Sequence, residues 1–125
     1  MIFLIPGGAG YIGSHMVKYL QESGHEAVVL DDFSTGHEWA VKDSEILRLS
    51  LLDQEALSRA LKGRKFDCVI HFAGKSLVDE SIKRSNAYYR SNVVGSLTFI
   101  NELMLNDNNN LVFSSTAAIF GNPIT

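Results

Sequence analysis

A doubly wound parallel α/β sheet is the fold this sequence predicts, and three observations predict it. Short, almost purely apolar runs alternate with longer segments of helical period. The first run breaks at once into a glycine-rich stretch, Gly7, Gly8, Gly10 and Gly13, and the second ends on a carboxylate, Asp31. Strands without a polar face belong in a sheet covered on both sides by crossover helices, and right-handed crossovers wind such a sheet outward in both directions.

Taken in order, Ile2–Ile5 reads as the first strand, ended by Pro6 and Gly7. Proline fixes φ and removes an N–H, which a strand terminus tolerates and a central ladder position does not. A helix follows over Tyr11–Glu22, closed at Ser23-Gly24 by a residue able to take left-handed dihedrals. Ala27–Leu30 is the second strand, followed by a mixed stretch; Ile46–Leu49 is the third, followed by a helix over Gln54–Leu61 with Asp53 as its N-cap. Cys68–Phe72 is the fourth strand. A long helix is predicted over Asn86–Leu105, with Tyr89, Val93, Leu97, Ile100 and Met104 as its buried stripe and Tyr88, Val94, Phe99 and Leu103 broadening it enough to be covered on two sides. Asn106–Asn110 reads as the polar loop that ends this helix, and Leu111–Ser114 as the last strand.

Composition narrows the function classes. The chain has 125 residues, 46% apolar and 20% charged, enough for one domain with a real core. Its net charge of −3 and scattered Lys and Arg give no footprint for nucleic acid, so a small-molecule partner is expected. A single cysteine, Cys68, excludes an intrachain disulfide and a cysteine zinc cluster and fits a reducing, cytoplasmic setting. The apolar start is too short for a signal-peptide core or a membrane span. His15, His25 and His37 have no metal-ligand spacing, so no metal is expected; His71 and Cys68 read as core residues, the histidine hydrogen-bonded.

The glycines carry the chemistry. Gly8, Gly10 and Gly13 satisfy G-x-G-x-x-G, while Gly7, Gly10 and Gly13 repeat every third position. A pyrophosphate reaches backbone N–H groups at a helix N-terminus only where no side chain blocks it and the strand-to-helix turn is tight; the last glycine lets the helix sit close to the strand. Glycines alone would equally suit a plain strand-to-helix turn. Asp31, 18 residues beyond Gly13 (positions 13 to 31), adds a carboxylate able to accept both ribose hydroxyls of an adenosine and to repel a 2′-phosphate. Together they predict a Rossmann-type dinucleotide site that takes NAD rather than NADP. No Gly-Lys-Ser/Thr follows, which disfavours a single-phosphate loop.

Five stretches then carry a family likeness: GGAGYIGSH (7–15), LDDFSTGH (30–37), HFAGKSLVDES (71–81), YYRSNVVGS (88–96) and LVFSSTAAIFGNP (111–123). In this order and spacing they resemble the N-terminal part of the UDP-glucose 4-epimerase family, in the extended branch of the short-chain dehydrogenases/reductases. The resemblance implies that Gly7, Gly10, Tyr11, Ile12 and Gly13 form the pyrophosphate loop and that Asp31 and Asp32 hold the adenosine ribose. Ser50 and Leu51 fall at the adenine, with Ser50 where an Asp commonly receives the amino group. Phe72, Ala73 and Gly74 form the strand end facing the phosphates and nicotinamide ribose, Asn92 is the helix asparagine near the nicotinamide, and Ser114 lines the last strand end. Thr116 takes the place of the catalytic Ser or Thr that hydrogen-bonds the sugar 4-oxygen.

The same resemblance implies a reaction and its missing parts. Bound NAD takes a hydride from C4 of a UDP-hexose, the 4-keto sugar turns over, and the hydride returns to its other face. The family's base is the tyrosine of a Tyr-x-x-x-Lys pair one helix downstream, and after Thr116 this chain has neither tyrosine nor lysine. The chain is therefore expected to be an incomplete NAD-binding domain, residues 1–125, without a substrate domain and inactive alone. The full-length protein is expected to be a homodimer, through the long helix. Pro6 stands where the family commonly has Thr, and Ser76 where some members have Lys, with Lys75 adjacent. Lys75, Ser76 and Ser81 suit loop surface as well as substrate contacts. A nucleotide-sugar 4,6-dehydratase is the nearest rival, disfavoured because Thr116-Ala117-Ala118 stands where dehydratases have Thr-Asp-Glu; a non-catalytic NAD-binding module and a bare truncation product are the others.

Overall fold

In the computed structural model of the chain, which describes residues 1–116 and Gly121, five parallel strands form one sheet. They are β1 (Ile2–Pro6), β2 (Glu26–Asp31), β3 (Glu45–Arg48), β4 (Cys68–His71) and β5 (Leu111–Phe113), in the order β3-β2-β1-β4-β5. The chain thus runs outward from β1 in one direction and returns to β1 to run outward in the other. Crossovers are made by α1 (Tyr11–Glu22), by a segment with a 3-10 turn (Glu38–Val41), by α2 (Gln54–Leu61) and by a helical run over 78–105 that is interrupted at Arg84.

Each central strand divides its side chains between two cores, the period-two consequence of a pleated strand. On one side Leu4, Val28, Leu30 and Val69 pack with Leu57 and Leu61 of α2 and with Phe99 and Leu103. On the other, Phe3, Ile5, Ala27 and Val29 pack with Val17 and Leu20 of α1 and with Val41. Two-sided cover is why the strands carry no polar face. Pro6 is the last residue of β1, in register with Leu30, and its carbonyl accepts from the Phe72 N–H at 2.8 Å, so its missing N–H falls where the ladder ends.

The predicted ends of α1 and α2 are found. Gly24 takes φ +78° and its N–H returns to the Gln21 carbonyl, while the Asp53 carboxylate accepts from the Ala56 N–H at 3.0 Å. Strand limits differ from expectation by a residue at most at each end. The asparagine run ends its helix and does more. Asn108 is buried, taking the Phe66 N–H at 2.9 Å and giving to the Arg64 carbonyl, and Asn110 gives to the Asp67 carbonyl, so this loop pins the turn that leads into β4.

The long helix is the main correction. It consists of α3 (Val78–Lys83), which the sequence reading missed, α4 (Ser85–Tyr89), a π-helical segment (Arg90–Gly95) and α5 (Ser96–Leu105). The expected buried stripe is largely exposed: Tyr89 is 68% and Met104 63% accessible, with Val93 and Leu97 also outside. The buried face is Tyr88, Gly95, Ser96, Phe99, Glu102 and Leu103, so three of the four broadening positions, Tyr88, Phe99 and Leu103, are inside and Val94 is not. Two apolar stripes of helical spacing lie one residue apart, and periodicity alone ranks them equally. Tertiary packing decides between them, because Phe99 and Leu103 fill the core formed with Leu4, Val28, Leu57 and Leu61.

His71 needs a second correction. Its ring is buried and stacked on Phe113 at 4.7 Å, and Nε2 has no hydrogen-bond partner among the described residues, so the ring is satisfied only in part. Burial pushes its pKa below the usual imidazole value and keeps the ring neutral.

Candidate functional site

A cleft of about 570 Å³ opens at the carboxyl ends of β1, β2, β3 and β4, where the strand order reverses beside β1. Open α/β sheets place their ligands at this switch point. Nine of the residues expected at a cofactor line it, Gly7, Gly10, Asp31, Asp32, Ser50, Leu51, Phe72, Ala73 and Gly74, and so do Lys75 and Ser76.

Its floor is the loop from β1 to α1. Gly7 has φ +76°, and a Cβ there would lie 2.5 Å from the Ala73 nitrogen, against the end of β4. A Cβ on Gly13 would lie 2.2 Å from the Gly7 carbonyl oxygen. The loop is therefore folded on itself and onto β4 with no room for side chains at either point. Gly10 is the N-cap of α1 and supplies no side-chain cap, so the first-turn N–H groups are left to a ligand. A Cβ at Gly10 would meet only the Gly7 carbonyl, at 3.3 Å, which shows the space before the helix to be open. Tyr11, Ile12 and Gly13 form the first turn behind this opening rather than the cleft wall.

Asp31 is placed by the same loop. It is 9% exposed; Oδ2 accepts from the Ala9 N–H at 3.0 Å and Oδ1 from the Phe33 N–H at 2.8 Å. Each carboxylate oxygen keeps a further lone pair for hydroxyls in the cleft. Asp32 accepts from the Ser34 N–H at 2.9 Å, an Asx turn that presents Ser34 and Thr35 to the cleft. Phe33 bridges them at φ +57°, unusual outside glycine, under the Arg48 guanidinium 4.0 Å from its ring centroid. Ser50 uses its Oγ on the Leu52 N–H at 3.3 Å.

The other end of the cleft rests on the π-helical segment. Asn92 Oδ1 accepts from the Lys75 N–H at 2.7 Å and Nδ2 donates to the Lys75 carbonyl at 2.8 Å. Both polar ends of the asparagine are engaged on the loop after β4, and it fixes that loop rather than facing the cleft. Isolated π turns recur where a helix must aim a side chain at a site. Tyr88 donates to Glu80 Oε2 at 2.9 Å, and Arg84 holds the other oxygen of Glu80 at 3.3 Å. Burial, reinforced by the Glu80 carboxylate, holds the Tyr88 phenol above its ordinary pKa, so it remains a donor.

Ser114 and Thr116 lie outside the cleft, exposed after β5, with the Ser114 N–H given to the His71 carbonyl at 3.0 Å. Residues 117–120 and 122–125, including the Ala117-Ala118 pair, lie outside the described residues. Lining residues that the sequence did not reveal are Ser34, Thr35, Leu77, Glu80, Tyr88, Arg90 and Ser91. The Asx-turn pattern at Asp32 was the one signal that could have found the first two. Among the described residues no helix is long and apolar enough to cross a membrane.

These parts fit a dinucleotide: an open helix N-terminus for a pyrophosphate, a preset carboxylate for a ribose and an apolar strand end beyond both. The family model for the NAD dependent epimerase/dehydratase family matches residues 3–125. A UDP-glucose 4-epimerase of Halalkalibacterium halodurans is 42% identical over 124 residues, covering 99% of this chain and 37% of the relative. A human UDP-glucose 4-epimerase is 39% identical over 96% of this chain and 38% of its own length. Among solved structures, a Brucella ovis UDP-glucose 4-epimerase in complex with NAD superposes with TM-score 0.89 at 37% identity, over 99% of this chain and 38% of that one. The chain thus spans well under half the length of the relatives it matches.

Proposed function

This chain belongs to the NAD dependent epimerase/dehydratase family, and from that premise we propose that it is the NAD-binding part of a UDP-glucose/UDP-galactose 4-epimerase. The observation that carries the proposal is the meeting of the Gly7–Gly13 loop and the Asp31 carboxylate in one cleft at the switch point of the sheet. Relatives whose names specify this reaction, over nearly all of the chain, support the substrate class.

In this reading the first-turn N–H groups of α1 bind the pyrophosphate, and Asp31 accepts the adenosine ribose hydroxyls. Asp32, Ser50 and Leu51 border the adenosine. Phe72, Ala73 and Gly74 support the nicotinamide side, with Asn92 acting through the Lys75 backbone and Ser114 closing the far strand end. NAD bound there supplies a hydride acceptor for C4 of a UDP-hexose. Thr116 holds the sugar 4-oxygen through its hydroxyl. No tyrosine or lysine follows Thr116 in the sequence, so the 125 residues alone lack the base that takes the 4-hydroxyl proton and are inactive. In the longer protein the exposed stripe of Tyr89, Val93, Leu97 and Met104 pairs with a second subunit. A cytoplasmic, NAD-rich compartment suits this chemistry.

A chimera tests the reading. The 125 residues are exchanged for the matching portion of the Halalkalibacterium halodurans relative, and NAD binding and conversion of UDP-galactose are measured. Interconversion by the chimera and none by the chain alone is expected. A folded, NAD-loaded chimera that converts nothing would overturn the epimerase reading, and turnover by the chain alone would overturn its inactivity.

A further inference from the structure

A second cleft, of about 470 Å³, lies on the outer side of the glycine loop. One wall is the face of α1 bearing Tyr11, His15 and Lys18; the other is the segment after β2 with Thr35, His37 and Trp39. Gly10 and Thr35 border both clefts.

The walls are aromatic and already set. The Tyr11 and His15 rings lie 4.7 Å apart, and His37 and Trp39 stack at 5.8 Å with their planes 18° apart. His15 Nδ1 lies 2.7 Å from the Tyr11 carbonyl, which accepts its proton and fixes the ring. The His37 N–H donates to the Ala9 carbonyl at 3.0 Å, and a Cβ on Gly36 would lie 2.8 Å from the Ala9 Cβ, so the second wall is pressed against the glycine loop. Trp39 nevertheless leaves 75% of its surface to water, and Tyr11 leaves 83%. Nothing in the dinucleotide reading uses these rings.

Charge and length say what would cover them. No carboxylate lines this cleft, although the chain carries a net charge of −3, and Lys18 stands at its end. The Lys18 contact with Glu22 is 3.8 Å long between two well-exposed side chains, an ion pair easily given up. From Tyr11 to Lys18 the helix rises about 10 Å at 1.5 Å per residue, the scale of a planar ring joined through a sugar to one charged group. Bases stack on aromatic faces whatever their identity, and a lysine is a point-charge partner for phosphate.

We infer that this second cleft binds a nucleoside monophosphate, its base at the Tyr11 end between the two aromatic walls and its phosphate at Lys18, beside a dinucleotide in the first cleft and not in place of it.

Trp39 is the only tryptophan in the chain, so its fluorescence reports this cleft alone. Titration with cytidine 5′-monophosphate, with and without saturating NAD, is expected to give saturable quenching in both cases. Lys18→Gln is expected to weaken the monophosphate roughly 2- to 5-fold, the range of one exposed ion pair, and to leave cytidine unchanged. Absence of saturable quenching overturns the inference. So does quenching that NAD abolishes, which puts the nucleotide in the first cleft, or a Lys18→Gln protein that binds the monophosphate as before.

Discussion

The two flanks of the sheet differ in how finished they are. Around β1 and β2, Leu4, Ile5, Val28 and Val29 have no accessible surface, with helices on both faces and the Asp31 carboxylate held by two backbone N–H groups at the cleft. Around β5, Val112 and Phe113 are about half exposed, and a whole apolar stripe of the 78–105 run faces water. The difference teaches that packing and the candidate cleft close around the β1 and β2 flank, while the flank beside Thr116 presents surfaces that none of the described residues covers.

The sharpest way to break this contrast is to delete equivalent bulk on each flank. Leu4→Ala should cost about 3 kcal/mol, the middle of the range for emptying a packed leucine site, whereas Val112→Ala should cost under about 0.5 kcal/mol, as exposed substitutions do. Urea titrations measure both, and equal losses would mean the flanks are equally closed. Next in size, Asp31→Asn removes a charged acceptor from the Ala9 and Phe33 N–H groups and turns an amide toward one of them. A loss of about 2 kcal/mol is expected from bonds to a charged group, with NAD affinity falling and the preference for NAD over NADP narrowing, read by calorimetry.

Gly13→Ala sharpens the comparison within the finished flank. Its new methyl would press on the Gly7 carbonyl, so NAD binding should fall at least about tenfold, equivalent to 1.4 kcal/mol. Gly24→Ala is the control for secondary structure, since nothing stands within 4 Å of a Cβ there and only its positive φ is strained. The smallest effect belongs to the unfinished flank. His71 titrates below its unfolded value because it is buried neutral, so its stabilising contribution is full above about pH 6.5 and is lost as pH falls from there toward the folded pKa. Urea midpoints between pH 7.5 and 5 should fall, and His71→Phe should flatten that slope; an unchanged slope would remove His71 as its cause.

What could be read from the sequence follows the same division. The strands, the Gly24 and Asp53 helix ends, the glycine loop and Asp31 were legible because each rests on local chemistry: a period, a cap, a dihedral or a short spacing. The face of the 78–105 run was not, because Tyr89–Val93–Leu97 and Tyr88–Gly95–Phe99 both satisfy helical spacing and only packing against the sheet and α2 chooses. Nor was the work of Asn92, since its partner is the backbone of Lys75, 17 positions away, and a backbone partner leaves no mark on residue type. The candidate cleft was therefore legible in its glycine loop and its Asp31 carboxylate and hidden where side chains serve loops.

Gly7 has a consequence for how the molecule is made. The space its missing side chain leaves is taken by Ala73, 66 positions later (7 to 73). At about 5–20 residues per second, synthesis separates the two by roughly 3–13 s. Throughout that interval the loop's bonds to Leu30 and Asp31 precede β4 in the chain, but the side of Gly7 that faces β4 has nothing to close against. The floor of the cleft is thus finished only when β4 arrives, and a chain shorter than about 73 residues would hold the glycines without the strand end they pack against.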